Sequence, residues 1–199
     1  MTKKLTVVCC IVIGLSLLCA AIAFLVLPGG GVTLVKSPAQ TKVSRPAGFP
    51  DPEANWIQLP ESVNLAAGKP VRAGEVTEVY TASNVTDGDT NTYWESKGVP
   101  AEIVVDLGGA YKIKTVAVRL NPAALWEART QGVEVLVSAD GETFTSVAAA
   151  AKYDFNPDTG NIIRIDFKSA PANFVKLIFS SNSSARSAGA QAAEILVFE

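Results

Sequence analysis

The segment Ala82-Ser83-Asn84-Val85-Thr86-Asp87-Gly88-Asp89-Thr90-Asn91-Thr92-Tyr93-Trp94 gathers carboxylates, a glycine and hydroxyls into a short stretch that ends in two aromatics. Calcium takes about six to eight oxygens at roughly 2.3–2.6 Å, mixing carboxylates with backbone carbonyls. Gly88, between Asp87 and Asp89, lets the chain turn sharply enough to aim several oxygens inward. The order is not that of an EF-hand, which needs D-x-D-x-[DN]-G and a distant glutamate. The same spacing also serves an Asx turn leading into a strand. On these residues alone a metal loop and a plain turn both stand.

Other chemistries are missing from the chain. It has 199 residues and no histidine, which removes imidazole acid–base catalysis, Ser-His and Cys-His nucleophiles and imidazole metal sites. The three cysteines are Cys9, Cys10 and Cys19, so nothing beyond residue 19 can form a disulfide framework or a thiolate site. A net charge of -2 and a pI near 5.3 argue against a nucleic-acid binder, which carries a basic stripe.

The Asp87 loop needs a scaffold, and the region from residue 62 onward supplies a repeated period-two pattern. In residues 114–120, Val116, Val118 and Leu120 share one face, with Thr115, Ala117 and Arg119 opposite. Val133, Val135 and Val137 share a face, as do Ile163, Ile165 and Phe167, then Val175, Leu177 and Phe179, then Ile195 and Val197. Asp140-Gly141, Pro157-Asp158-Thr159-Gly160 and Ser169-Ala170-Pro171 read as turns. Residues 148–151 favour a helix but are too few to count. Strands at this spacing predict an all-β antiparallel sandwich or barrel.

The N-terminal part differs. Lys3 and Lys4 precede an uncharged, mostly apolar run from Leu5 to Leu27, about 34 Å long as a helix. It reads as a transmembrane signal anchor over 1–27, since a cleaved signal has an apolar core of only about 7–15 residues. Cleavage after Ala21-Ile22-Ala23, giving a secreted protein, is the alternative; a lipoprotein reading meets Leu18 where a small residue should precede Cys19. Lys3, Lys4 and the terminal amine favour the N-tail inside and the C-terminal bulk outside the cytoplasm. Residues 28–61 are rich in proline and glycine and read as a disordered linker, with Trp56 and Ile57 near its end placed to pack on the following domain.

Taken together, Asn64-Leu65-Ala66, Asp87-Gly88-Asp89-Thr90-Asn91-Thr92-Tyr93-Trp94, Ile103-Val104-Val105-Asp106-Leu107-Gly108 and Val135-Leu136-Val137-Ser138-Ala139-Asp140-Gly141 stand in the order found in coagulation factor 5/8 type C (discoidin) domains. Ala193-Glu194-Ile195 is similar to that family's last strand. The resemblance covers residues 62–199. It implies an eight-stranded jelly-roll, galactose-binding-domain-like β-sandwich with binding loops at one end. Bacterial relatives are often family 32 carbohydrate-binding modules. It also implies a structural Ca²⁺, held by the backbone oxygen of Asn84, the Asp87 carboxylate, the backbone oxygen of Asp89, Thr92, the backbone of Ala193 and the Glu194 carboxylate.

Sugar recognition needs an aromatic face for the ring and polar groups for its hydroxyls. Residues 121–130 offer both, and in the family the corresponding loop commonly contributes to the ligand surface. Trp126 is the first candidate, with Arg129, Glu127 and Asn121 beside it; a rim tryptophan closing the sandwich end is the competing role for Trp126. Tyr153 and Phe155, then Asn182 and Arg186, are further candidates from two other loops. Galactose-binding relatives often use a histidine, which this chain lacks. Trp94 is assigned to the core. The expected function is a non-catalytic, membrane-tethered, extracytoplasmic carbohydrate-binding module whose partner is a glycan. A protein-assembly domain of an envelope complex is the alternative. A hydrolase would need two carboxylates across a cleft, and Asp87 and Glu194 are assigned to calcium.

Overall fold

The structure, a computed structural model, describes residues 53–199 together with two short strands nearer the N-terminus. Those strands are β1 (Phe24–Val26) and β2 (Val32–Leu34), paired antiparallel with Phe24 opposite Leu34. The sequence reading placed Phe24–Val26 in the anchor helix, and here it is corrected. Phenylalanine, leucine, valine and threonine carry strand propensity as well as apolar character, so an apolar run does not by itself select a helix. The rest of the expected anchor, and the linker apart from β2 and residues 53–61, lie outside the described residues. Among the described residues no helix is long and apolar enough to cross a membrane.

The second compact unit spans Pro50–Glu199 and is all-β. Its strands are β3 (Val71–Ala73), β4 (Trp94–Glu95), β5 (Ala101–Arg119), β6 (Arg129–Ser138), β7 (Thr145–Phe155), β8 (Ile162–Asn182), β9 (Gln191–Ala192) and β10 (Glu194–Phe198). Six of them form one antiparallel sheet in the order β10-β5-β8-β6-β7, with β3 also against β5. The long strands β5 and β8 build both layers of the sandwich. The first half of β5 pairs with β3 and with the second half of β8; its second half pairs with β10 and with the first half of β8. Register breaks between Asp106/Tyr111 and Ile113/Thr115 mark the change of layer, and such irregularities bend strands. β4 and β9 make a separate two-stranded ribbon.

The alternating residues read from the sequence do face the core. Val116, Val118, Leu120, Val133, Val135, Val175, Leu177, Phe179, Ile195 and Val197 are all fully buried, as is Trp94. Burying such side chains contributes roughly 1.5–3 kcal/mol each. The opposite face of β5 is covered too: Thr115 donates to Asp166 Oδ1 at 2.6 Å, and the Arg119 guanidinium lies 5.7 Å from the Trp56 ring. Trp56 thus packs on the domain, as expected. A Cβ on Gly160, which has φ +84°, would meet the Trp56 ring at 2.7 Å. Glycine at 160 serves both the left-handed turn and the tryptophan.

The alanine-rich residues 148–151 lie inside β7, not in a helix. β7 hydrogen-bonds to β6, and pairing along a free sheet edge outweighs alanine's helix propensity. Between β6 and β7, Asp140 caps its own turn, accepting from Glu142 N, Thr143 N and Ser138 Oγ at 2.8–2.9 Å. These donors hold its carboxyl down at about 2. The contribution of this cap is complete above the ordinary aspartate range near pH 4, and is lost as pH falls through about 2. Asp140→Asn is therefore expected to flatten the acid limb of the stability curve between about pH 4 and pH 2, as read by thermal melts; an unchanged limb contradicts the assignment.

Candidate functional site

Two groups of residues meet at the end of the sandwich where the Asp87 loop lies. The first is that loop itself. Asp87 Oδ1 accepts from Asp89 N at 2.8 Å and Asp87 Oδ2 accepts from Thr92 Oγ1 at 2.6 Å, while Glu194 Oε1, at the start of β10, accepts from Gly88 N at 2.8 Å. The first loop and the last strand are thereby joined across 106 positions of sequence. Burial, followed by the nearby Asp87 charge, pushes the Glu194 carboxyl up to about 7. Among the described residues neither carboxylate forms an ion pair. Two carboxylates brought together from distant parts of the chain, one of them buried, fit a bound dication.

The other residues expected at the calcium each have hydrogen-bond partners within the protein. The Asn84 side chain is engaged elsewhere, its Nδ2 donating to Tyr93 O at 2.8 Å. The Asp89 carboxylate caps Asn91, which lowers its pKa, and the Asp89 carbonyl accepts from Thr92 Oγ1 at 2.9 Å. Ala193 sits at the break between β9 and β10, held by its N–H to Arg119 O at 2.8 Å. Asn121 ties the neighbouring loop to this one, donating to Thr90 O at 2.9 Å. It accepts from Ala123 N, and its carbonyl accepts from Asn161 Nδ2. The Asn121 amide therefore acts as a clamp between loops.

The second group lines an open cleft of about 430 Å³: Glu78, Tyr80, Tyr93, Glu95, Leu125, Trp126, Arg129, Arg186 and Gln191. Its wall is aromatic. Tyr80 and Tyr93 stack with ring centroids 4.2 Å apart, and Trp126 meets Tyr93 edge-on at 4.7 Å. Burial and the neighbouring Tyr80 hydroxyl push the Tyr93 phenol well up. The floor is a polar network. Arg129, 8% exposed, donates to Gln191 Oε1 and to the Trp126 carbonyl, and its guanidinium lies 5.4 Å from the Trp126 ring. Gln191 Nε2 donates to Glu95 Oε2 at 2.8 Å, and Ser187 Oγ donates to Glu95 Oε1 at 2.8 Å. The Gln131 side chain holds the Gln191 backbone from below with two bonds of 2.9 and 3.0 Å.

Trp126, Arg129 and Arg186 therefore come together as expected from the sequence, and Glu127 joins them through its ion pair to Arg186 at 2.9 Å. Arg129 also has a structural role that the sequence did not show. Its donors are turned into the protein, where they fix the Trp126 backbone and Gln191. Phe155 is also corrected: β6–β7 register sets it opposite Arg129 with its ring fully buried in the core, away from any ligand surface. Asn182 is engaged by Gly189 O and Ser184 N.

Tyr80, Tyr93, Glu78, Glu95 and Gln191 were not candidates in the sequence reading. Tyr93 and Glu95 could have been: strand neighbours point to opposite faces, so a core Trp94 turns both toward the other side. Gln191 carried no such signal.

Solved structures share this fold. A module described as CBM32-5 of CpGH89 from Clostridium perfringens, in complex with GalNAc-beta-1,3-galactose, is 25% identical, with a TM-score of 0.57 over 69% of this chain and 100% of its own. A selenomethionine-labelled mutant of chitosan-binding module 1, from a chitosanase/glucanase of Paenibacillus sp. IK-5, is 26% identical, with a TM-score of 0.57 over 68% of this chain and 98% of its own. The CBM32 of AlyQ, in complex with 4,5-unsaturated mannuronic acid, is similar in fold at 23% identity, with a TM-score of 0.55 over 65% of this chain and 94% of its own. Residues 70–195, more than half of the chain, match the F5/8 type C domain model, and the chain belongs to that family.

Proposed function

We propose that this protein is a non-catalytic carbohydrate-binding module that takes its glycan in the cleft walled by Tyr80, Tyr93 and Trp126. The observation that carries the reading is the union of that wall with the hydrogen-bonded floor of Glu95, Gln191 and Arg129. Aromatic faces suit the C–H surface of a sugar ring, and fixed polar groups suit its hydroxyls. The sugar-bound and sugar-binding neighbours point the same way.

Calcium belongs to the same proposal. The Asp87 and Glu194 carboxylates, Thr92 and the carbonyls of Asn84, Asp89 and Ala193 would hold it, and it would add positive charge between the two carboxylates. Asn121 links the calcium loop to the loop carrying Trp126, so an ordered calcium loop supports an ordered cleft.

We further propose that the domain is displayed outside the cytoplasm on its N-terminal anchor. What supports this is the sequence alone: Lys3 and Lys4 precede an uncharged, mostly apolar run. Exposed Leu125, at the lip of the cleft, favours the second reading, a protein partner from an envelope assembly.

A glycan array probed with the full chain, in calcium and a non-glycosidic detergent, tests the choice. Binding to a defined glycan class that disappears with Trp126→Ala supports the carbohydrate reading. A blank array from a folded, calcium-loaded protein overturns it in favour of the protein partner.

A further inference from the structure

The bound sugars of the neighbouring structures differ chemically, so the class of ligand rests on the cleft's own residues. Four charged side chains line it: Glu78, Glu95, Arg129 and Arg186. Both cations have partners within the protein, although the buried Arg129 Nε has none. Arg186 pairs with Glu127 at 2.9 Å, and buried Arg129 donates to Gln191 and to the Trp126 carbonyl. Of the two acids, Glu95 faces the Arg129 charge across Gln191, which bonds to both, and Glu78 is not matched in this way. Glu95 accepts from the neutral donors Ser187 and Gln191, at 2.8 Å each, and forms no ion pair among the described residues. Glu78 is exposed and makes no hydrogen bond or ion pair among the described residues.

Glu78 is also held in an unusual backbone state. Its φ of +50° is left-handed, rare for a residue with a side chain, and such strain collects at functional sites. The turn around it is pinned by Thr77 N to Glu95 O at 2.9 Å and Tyr80 N to Thr77 O at 3.0 Å. A constrained, unpaired carboxylate thus stands at the rim of the cleft beside the stacked Tyr80–Tyr93 wall. Carboxylates combined with aromatic faces are what an ammonium group requires, through charge and cation–π attraction together.

We infer that the ligand is a saccharide bearing a protonated amine, a 2-amino-2-deoxyhexose oligomer, whose ammonium is taken by Glu78 with Glu95 behind it and whose ring lies on the Tyr93–Trp126 wall. The same carboxylates repel uronates and sulfated sugars, which provides the discrimination. This inference rests on the carbohydrate reading proposed above.

The test measures affinities of the full chain, in non-glycosidic detergent at mildly acidic pH, for a glucosamine tetramer, its fully N-acetylated counterpart and an oligouronate. The amine oligomer is expected to bind about tenfold tighter than the acetylated one, and the oligouronate not at all. Glu78→Gln should reduce that preference to about twofold while the melting temperature stays unchanged. Raising salt from about 20 mM to about 300 mM should weaken the amine preference and leave the acetylated oligomer unaffected. Equal affinities for amine and acetylated forms, both lost with Trp126→Ala, overturn the amine inference and leave the glycan reading standing. A lysine-rich peptide that binds as tightly as the amine oligomer overturns it in favour of a protein ligand. No sugar bound by a protein with a normal melt overturns both readings.

Discussion

Arg129→Ala is expected to lower the melting temperature by about 5–15 °C and to abolish ligand capture in the cleft. The buried guanidinium donates to Gln191 Oε1 and to the Trp126 carbonyl, so its removal strands two acceptors at once. Each unsatisfied buried group costs about 1–3 kcal/mol. A further contribution disappears with the cation–π contact to Trp126, 5.4 Å away. A total of about 2–5 kcal/mol corresponds to the quoted shift for a domain of this size. Function falls with it, because Gln191 orients Glu95 and Arg129 sets the Trp126 backbone. Arg129→Lys should rescue little, since an ammonium cannot bridge two acceptors with a planar fork. Arg186→Ala, which removes an exposed ion pair, should cost less than about 1 kcal/mol. Calorimetry of the three variants decides the matter. An Arg129→Ala protein that melts within about 2 °C of the parent would show that the floor is not held by this residue.

Calcium should have the second large effect. At about a hundred times its dissociation constant, an ion bound only by the folded state stabilises by about 2.7 kcal/mol. For this domain that is a rise in melting temperature of about 5–11 °C. The stabilisation should disappear in both Asp87→Asn and Glu194→Gln, which remove the carboxylates that meet across the fold. Magnesium should do little in its place, since it demands shorter bonds and a stricter octahedron than backbone carbonyls in a loop supply. Glu194→Gln should also raise the metal-free melting temperature, because it relieves the burial of a carboxyl beside Asp87. A parent protein whose melt is the same in calcium and in chelator would remove the metal from the proposal.

The β-sandwich was legible in the sequence because its signal is local. A strand buried on one face must alternate, and Val133-Val135-Val137 or Val175-Leu177-Phe179 show that alternation whatever they pair with. The Asp87 loop and the family resemblance were legible for a similar reason, since their residues are contiguous. Residues 148–151 were not, because their strand character comes from the free edge of β6 rather than from their own propensity.

The cleft belonged to the tertiary structure. Arg129 reaches Gln191 across 62 positions and Glu95 meets Gln191 across 96, and no periodicity encodes contacts at that separation. The sequence alone determined which residue types were available: no histidine or downstream cysteine, a tryptophan and arginines in the loops, and acids near the first and last strands. The fold decided how each is used. It buried Phe155 in the core and turned Arg129 inward, leaving Tyr80, Tyr93 and Trp126 as the wall of a cleft. The physical reason is register: in a sandwich each side chain's environment is set by the strand or loop brought against it, and those partners lie far away along the chain.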